Sequence, residues 1–104
     1  MYARVSTAEE VNVDEMDEGI RIFDEEIVPT LKKAPGAVEG LLLVDREAAK
    51  AVIVGIYESK EDMKAFMESG KYQEQVAKFL TKVITKMPVT EEYEVASRFL
   101  FKTD

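Results

Sequence analysis

The side chains best suited to chemistry in this sequence are two tyrosines and two arginines. Its 104 residues include neither cysteine nor histidine. Thiolate and imidazole nucleophiles, the usual zinc ligand sets, disulfides and haem on a proximal His or Cys are therefore excluded. Proton transfer is left to tyrosine, lysine, arginine-assisted water or a carboxyl group raised by burial. Tyr57 closes an apolar run just before a helix start. Its hydroxyl there either orients a ring or phenolic ligand or sits at the rim of a packed interior. Arg4 and Arg98 fall in the first and last strand candidates. If those strands are neighbours, the guanidinium groups approach each other and grip a carboxylate or phenolate. The plainer alternative is a bridge from either one to Glu94.

Tyr72 and Phe66 lie on apolar helical faces, next to Met16, Met63, Met67 and Met87. Such residues line an adaptable apolar cavity or fill an ordinary core. The acidic run Asp14, Glu15, Asp17 and Glu18 is spread around a helix and lacks a glycine-turned loop. It reads as a solvated helix start, not a calcium site. No metal and no cofactor is expected.

These residues need elements to position them. Tyr2 to Thr7 alternates loosely and reads as a strand. Asn12 and Asp14 offer N-caps to a helix whose Met16, Ile20, Phe23, Ile27 and Leu31 form one stripe. Pro29 should kink that helix near its end, and Ala34-Pro35-Gly36 should stop it. Val38 to Val44 and Ala51 to Tyr57 are strand candidates joined by a polar hairpin connection. Ser59, with Asp62 three residues on, caps a second helix. The apolar face around Met63 and Phe66 and the one from Tyr72 to Met87 diverge, so Ser69-Gly70 should break that helix in two. Pro88 ends it, and Glu92 to Phe101 reads as the last strand.

The order β-α-β-β-α-β over residues 1–104 predicts a single α+β domain, a ferredoxin-like sandwich. It has a four-stranded antiparallel sheet with both helices on one face. Right-handed crossovers put the first and third strands at the centre. Leu41 to Val44 and Val52 to Val54 are apolar at consecutive positions, so both sheet faces lose water there. A homodimer through the helix-free face is the economical solution; loops and helix ends covering that face within one chain are the other.

The formal net charge is −7, which argues against nucleic acid as a partner. Four basic and 11 acidic residues precede Arg46, whereas the remainder is balanced. The excess thus belongs mainly to the first helix, and Lys71, Lys78, Lys82 and Lys86 on the second can face it across a solvated flank. No apolar run approaches the roughly 18 residues of a membrane span, and none in residues 1–25 resembles a signal peptide. The expectation is a cytoplasmic protein with no membrane partner.

Gly55-Ile56-Tyr57-Glu58-Ser59-Lys60-Glu61-Asp62, with Phe66 and Ser69-Gly70 after it, resembles the antibiotic-biosynthesis-monooxygenase-like (ABM-like) family. In that family a strand ends in Trp-Glu-Ser directly before a helix. Glu92-Tyr93-Glu94-Val95, Val44-Asp45-Arg46 and Pro35-Gly36 fit the same pattern. The resemblance implies a dimeric α/β barrel in which two sheets enclose the barrel. It also implies activities that include cofactor-independent oxygenation of polycyclic quinols and breakdown of haem. The haem-degrading branch needs a histidine on the second helix, which this chain lacks. Tyr57 stands where the family has tryptophan. Three readings follow: an apolar or aromatic small molecule held between sheet and helices, a cofactor-independent monooxygenase, or a ligand-free assembly domain.

Overall fold

The computed structural model describes residues 1–102; the side chains of residues 72, 75, 76 and 78–80 lie outside the described set. Its strands are β1 (Tyr2–Ala8), β2 (Ala37–Asp45), β3 (Lys50–Tyr57) and β4 (Val89–Glu94). They form one sheet in the order β2-β3-β1-β4, with every neighbouring pair antiparallel. β1 and β3 are thus central, as right-handed crossovers require.

Two helical layers cover one face. The first comprises a 3-10 turn (Val13–Glu15), α1 (Met16–Ile22), a π-helical stretch (Phe23–Ile27) and α2 (Val28–Lys32). The second comprises α3 (Lys60–Glu68) and α4 (Lys71–Lys82). The helix break falls where sequence placed it: Gly70 takes φ +78°, a left-handed conformation that glycine adopts without steric cost. Ser59 Oγ accepts from the Asp62 backbone N–H at 3.1 Å and donates to Asp62 Oδ2 at 3.0 Å, which satisfies an end-of-helix donor.

The first helix differs from the single kinked α-helix expected. Asn12 makes no side-chain cap bond; its carbonyl accepts from the Glu15 N–H instead. Further on, the Val28 N–H reaches five residues back to the Phe23 carbonyl. The wider π turn lies just ahead of Pro29, whose ring would press on the carbonyl four residues before it. Thr30 Oγ1 also donates to the Glu26 carbonyl at 3.2 Å.

Register assigns every strand residue to a face. Tyr2, Arg4, Ser6 and Ala8 sit opposite Tyr57, Gly55, Ile53 and Ala51, and these eight point at the helices. The core lies there, with Met16, Ile22, Phe23, Ile27, Met63 and Val83 buried and Leu42, Ile53 and Met67 packed against it. Ala3, Val5 and Thr7 share the other face with Val52, Val54 and Ile56, and with Leu41, Leu43, Tyr93 and Val89 of the edge strands. No helix covers that side, and Leu43 stays 49% exposed and Val89 64%.

The last strand is a correction. It spans Val89–Glu94, not Glu92 to Phe101. Its partner β1 begins at Tyr2, which pairs with Glu94, and one further bond runs from the Val95 N–H to the Met1 carbonyl at 3.0 Å. Beyond it the chain runs back to β2, where Arg98 Nη2 meets Glu39 Oε2 at 3.0 Å. Phe99 and Phe101 then stack edge to face with centroids 5.3 Å apart, both exposed.

Charge contact between the two helical layers is slight: Lys82 acts on Glu18 only through space, and the direct ion pairs lie beside or within the helices. Lys86 Nζ binds Glu10 Oε2 at 2.7 Å, and Arg21 binds Glu18 and Glu25 along its own helix. No helix among the described residues is long and apolar enough to cross a membrane.

Candidate functional site

The helix-covered face does not close completely over the sheet. A cleft of about 240 Å³ lies between the first helical layer and strands β2 and β3. Phe23, Val28 and Leu31 form its helical wall, while Gly40, Gly55 and Tyr57 form the sheet side. The π stretch is the element that delivers Phe23, and α2 delivers Val28 and Leu31. A register shift between Ala37 and Glu39 bends the edge strand at the mouth, the usual work of a β-bulge beside a site.

Deeper in, a cavity of about 10 Å³ is bounded by Arg4, Leu31, Ile53, Gly55, Tyr57 and Met67. That is at the lower limit for one water molecule. Tyr57 is 2% exposed. A Cβ on Gly55 would lie 3.2 Å from Tyr57 Cε1 and 3.4 Å from its hydroxyl oxygen, so the ring folds back over its own strand. Phe66 backs it, with ring centroids 6.3 Å apart and planes tilted by 36°. On the adjacent strand, Arg4 Nη1 donates to Ser6 Oγ at 3.3 Å, and Ser6 Oγ shares a 3.1 Å hydrogen bond with Thr90 Oγ1.

A second hollow of about 470 Å³ opens where α2 ends against α3 and the start of α4. Phe66 lines it, together with Lys33, Asp62, Lys71 and Glu74. The Tyr57–Phe66 pair therefore stands between the two spaces.

Sequence reasoning singled out five residues, and the structure brings three together. Tyr57, Arg4 and Phe66 converge at the inner end of the cleft region. Arg98 does not: it lies beyond β4 and pairs with Glu39, not with Arg4 or Glu94. The shortened β4 explains this, because Arg98 was placed in a strand that has already ended. The Tyr72 side chain lies outside the described residues. Gly40 and Gly55 were not singled out, although glycine inside an apolar strand is a known sign of close approach.

Displaced pKa values occur on the outer surface. The Lys86 ammonium hydrogen-bonded to Glu10 holds that carboxyl below its usual range, and Glu10 in turn raises Lys86. Arg21 likewise lowers Glu18. A hydrogen bond to the Glu91 carboxylate raises the Tyr93 phenol. Among the described residues no cluster of three or more acidic, His or Cys side chains is placed to hold a metal ion. The cleft thus offers largely apolar walls with the Tyr57 phenol and the charged Lys32 and Glu39, and the Arg4 guanidinium borders the small cavity behind Tyr57, a set that binds and orients.

No protein-family model matches the chain, and no curated protein matches it. Solved structures do. A Streptomyces coelicolor monooxygenase in complex with the ligand nanaomycin D superposes with a TM-score of 0.77 at 10% identity, covering 97% of this chain and 92% of its own. A Caulobacter crescentus candidate antibiotic biosynthesis monooxygenase gives 0.76 at 16% identity, with 92% and 90% covered. One from Chloroflexus aurantiacus gives 0.70 at 16% identity, with 97% and 98% covered. At these identities the likeness is one of fold. The chain has the ferredoxin-like α+β fold of the antibiotic-biosynthesis-monooxygenase structures along nearly its whole length.

Proposed function

We propose that this protein is a small dimeric ABM-like protein that holds an apolar or aromatic small molecule between its sheet and its first helical layer. The cleft carries this reading: apolar walls lead inward to Tyr57 and Arg4. A ring would fill the space between Leu31 and the sheet. The Tyr57 hydroxyl, with the Arg4 guanidinium in the small cavity behind it, would hold its oxygen substituents, and Lys32 and Glu39 also line the cleft. The S. coelicolor monooxygenase, which shares the fold, is a structure with a bound ligand.

A second reading uses the same residues. A cofactor-independent monooxygenase would bind a quinol or polyketide-like ring and let O₂ react directly with it, while Tyr57 and Arg4 position the ring's oxygens. The largely apolar walls favour it, since a ring lying against them is shielded from water on that side. A ligand-free assembly domain needs no cleft at all.

Dimerisation through the helix-free face is supported by its composition. Val5, Val52, Val54, Ile56, Leu41 and Leu43 stand together there, a contiguous apolar face of the kind that marks an interaction surface.

Oxygen uptake and calorimetric titration with a panel of hydroquinones and naphthols separate these readings. Binding without oxygen consumption supports the holding role. Uptake that falls with Tyr57→Phe supports the oxygenase; for one hydrogen bond the fall is about 2–10-fold. Absence of both leaves the assembly domain.

A further inference from the structure

Gly40 and Gly55 are register partners across β2 and β3, and both point at the helices. Both border the 240 Å³ cleft. Everywhere else in the central helix-facing register of these strands a side chain fills the space: Leu42 faces Ile53, and both pack against the core. Only at this rung do two adjacent strands lack side chains together. The void is therefore made by the sheet as much as by the helices.

The two positions differ in what a methyl group would meet. At Gly40 a Cβ would lie 3.7 Å from Leu31 Cδ1 and 3.9 Å from the Val54 carbonyl oxygen, ordinary van der Waals contacts. The fold leaves room for a side chain at position 40, and that room is the cleft. At Gly55 a Cβ would lie 3.2 Å from the Tyr57 ring, so a side chain there would displace the ring. Gly55 thus serves Tyr57 as well as the cleft, whereas Gly40 serves the cleft alone.

We propose that the facing pair Gly40 and Gly55 is the specificity determinant of the cleft: a bare-peptide floor that admits a flat one- or two-ring ligand beneath Leu31. This rests on the ligand-holding reading above and adds the size limit and the residue that sets it. An enclosed cavity of about 150 Å³ takes benzene, so about 240 Å³ accommodates a second fused ring. Position 40 then acts as a filter. A branched side chain there would project under Leu31 and occupy the space of the outer ring.

The test uses the full chain labelled with ¹⁵N, titrated with 1-naphthol and separately with phenol. The amides of Gly40 and Gly55 should shift with 1-naphthol while that of Gly70, at the turn between α3 and α4, stays in place. Gly40→Ala should weaken 1-naphthol binding and leave the melting temperature no lower than wild type. Gly40→Val should weaken it about tenfold or more while phenol binding stays within about twofold, as expected when a pocket loses one group's worth of space. Unchanged 1-naphthol affinity in a folded Gly40→Val protein would overturn the filter and spare the ligand-holding reading. Failure of both probes to shift any amide of the wild type would overturn both.

Discussion

The two faces of the sheet are built from similar residues and end in opposite conditions. Toward the helices, Leu42, Ile53 and Ala51 join a core that includes Ile27 and Met63. One residue along each strand, Leu43, Val52 and Val54 point away from any helix. A solvated antiparallel face normally turns polar at alternate positions; here the polar residues are Glu39, Glu91, Thr7 and the end pair Asp45 and Lys50, and the centre of the face is apolar. The helix-covered face contains a void despite its cover, because two glycines remove the filling at one rung. The open face has filling without cover. The difference is between a covered face with a gap in it and an apolar face with no helix over it.

A charge at the centre of the open face tests that contrast most severely. Val54 lies on central strand β3, between Val5 and Leu41. In a sheet-to-sheet dimer, Val54→Lys buries an uncompensated charge, at a cost of about 3–5 kcal/mol. Light scattering should then show the monomer mass at micromolar concentrations where the wild type shows a dimer. Circular dichroism should be unchanged, because the helix-covered core is untouched. A wild type that scatters as a monomer would remove the contrast altogether.

Adjacent leucines on one strand sharpen it. Leu42→Ala takes methyl groups from the core side and should cost about 2 kcal/mol, the low end for buried leucine. At this size that lowers the melting temperature by about 8–16 °C, whatever the protein concentration. Leu43→Ala should act differently. Its cost should be about 1 kcal/mol or more in concentrated solution and close to nothing after dilution below the dimer's dissociation constant, since association links stability to concentration. Melting curves over a wide range of concentrations read this directly. Equal, concentration-independent losses at both positions would mean that the open face is covered within one chain.

Much of this arrangement is legible in the sequence, and the parts that are not have local physical causes. Consecutive apolar residues in 41–44 and 52–54 announce that neither face of the hairpin meets water. The divergence between the Met63–Phe66 stripe and the one that follows, with Gly70 between them, marks the helix break. The π stretch is invisible because Met16, Phe23 and Ile27 fit an ordinary helical stripe; five residues are too few for the wider period to show. The end of β4 is set by its partner. Nothing in Val95 to Phe101 says that the pairing with β1 stops at Glu94, with one further backbone bond from Val95. Arg98 was therefore assigned to a strand edge when it belongs to the returning chain. Tyr57 and Arg4 could be placed on one face only once register was known, and the meaning of Gly40 appears only when Gly55 is seen across from it.

The smallest effect concerns the rim that joins the two helical layers, and it limits how much the charged flanks contribute to the covered face. Glu10 and Lys86 form an exposed ion pair at 2.7 Å, beside the backbone bond from Asn12 N–H to the Val83 carbonyl. The Lys86 hydrogen bond lowers the Glu10 pKa. Its contribution to stability is therefore complete above the ordinary carboxylate range and is lost as pH falls through the lowered value. Lys86 is raised, so its share is complete below the ordinary lysine range and disappears as pH rises through the raised value. Glu10→Gln should consequently melt slightly below wild type near neutral pH. The gap should close at acidic pH, close again at strongly alkaline pH, and shrink in high salt, where exposed pairs are screened. A gap that persists at low pH would show that the ion pair is not its cause, since the substitution leaves the backbone as it was. Glu10 has φ 55°, and its carbonyl accepts from Thr85 Oγ1 at 2.6 Å. Glu10→Gly removes the charge and also relieves the left-handed strain, so the gap from wild type to Glu10→Gln reads the ion pair and any further difference between Glu10→Gln and Glu10→Gly reads the backbone.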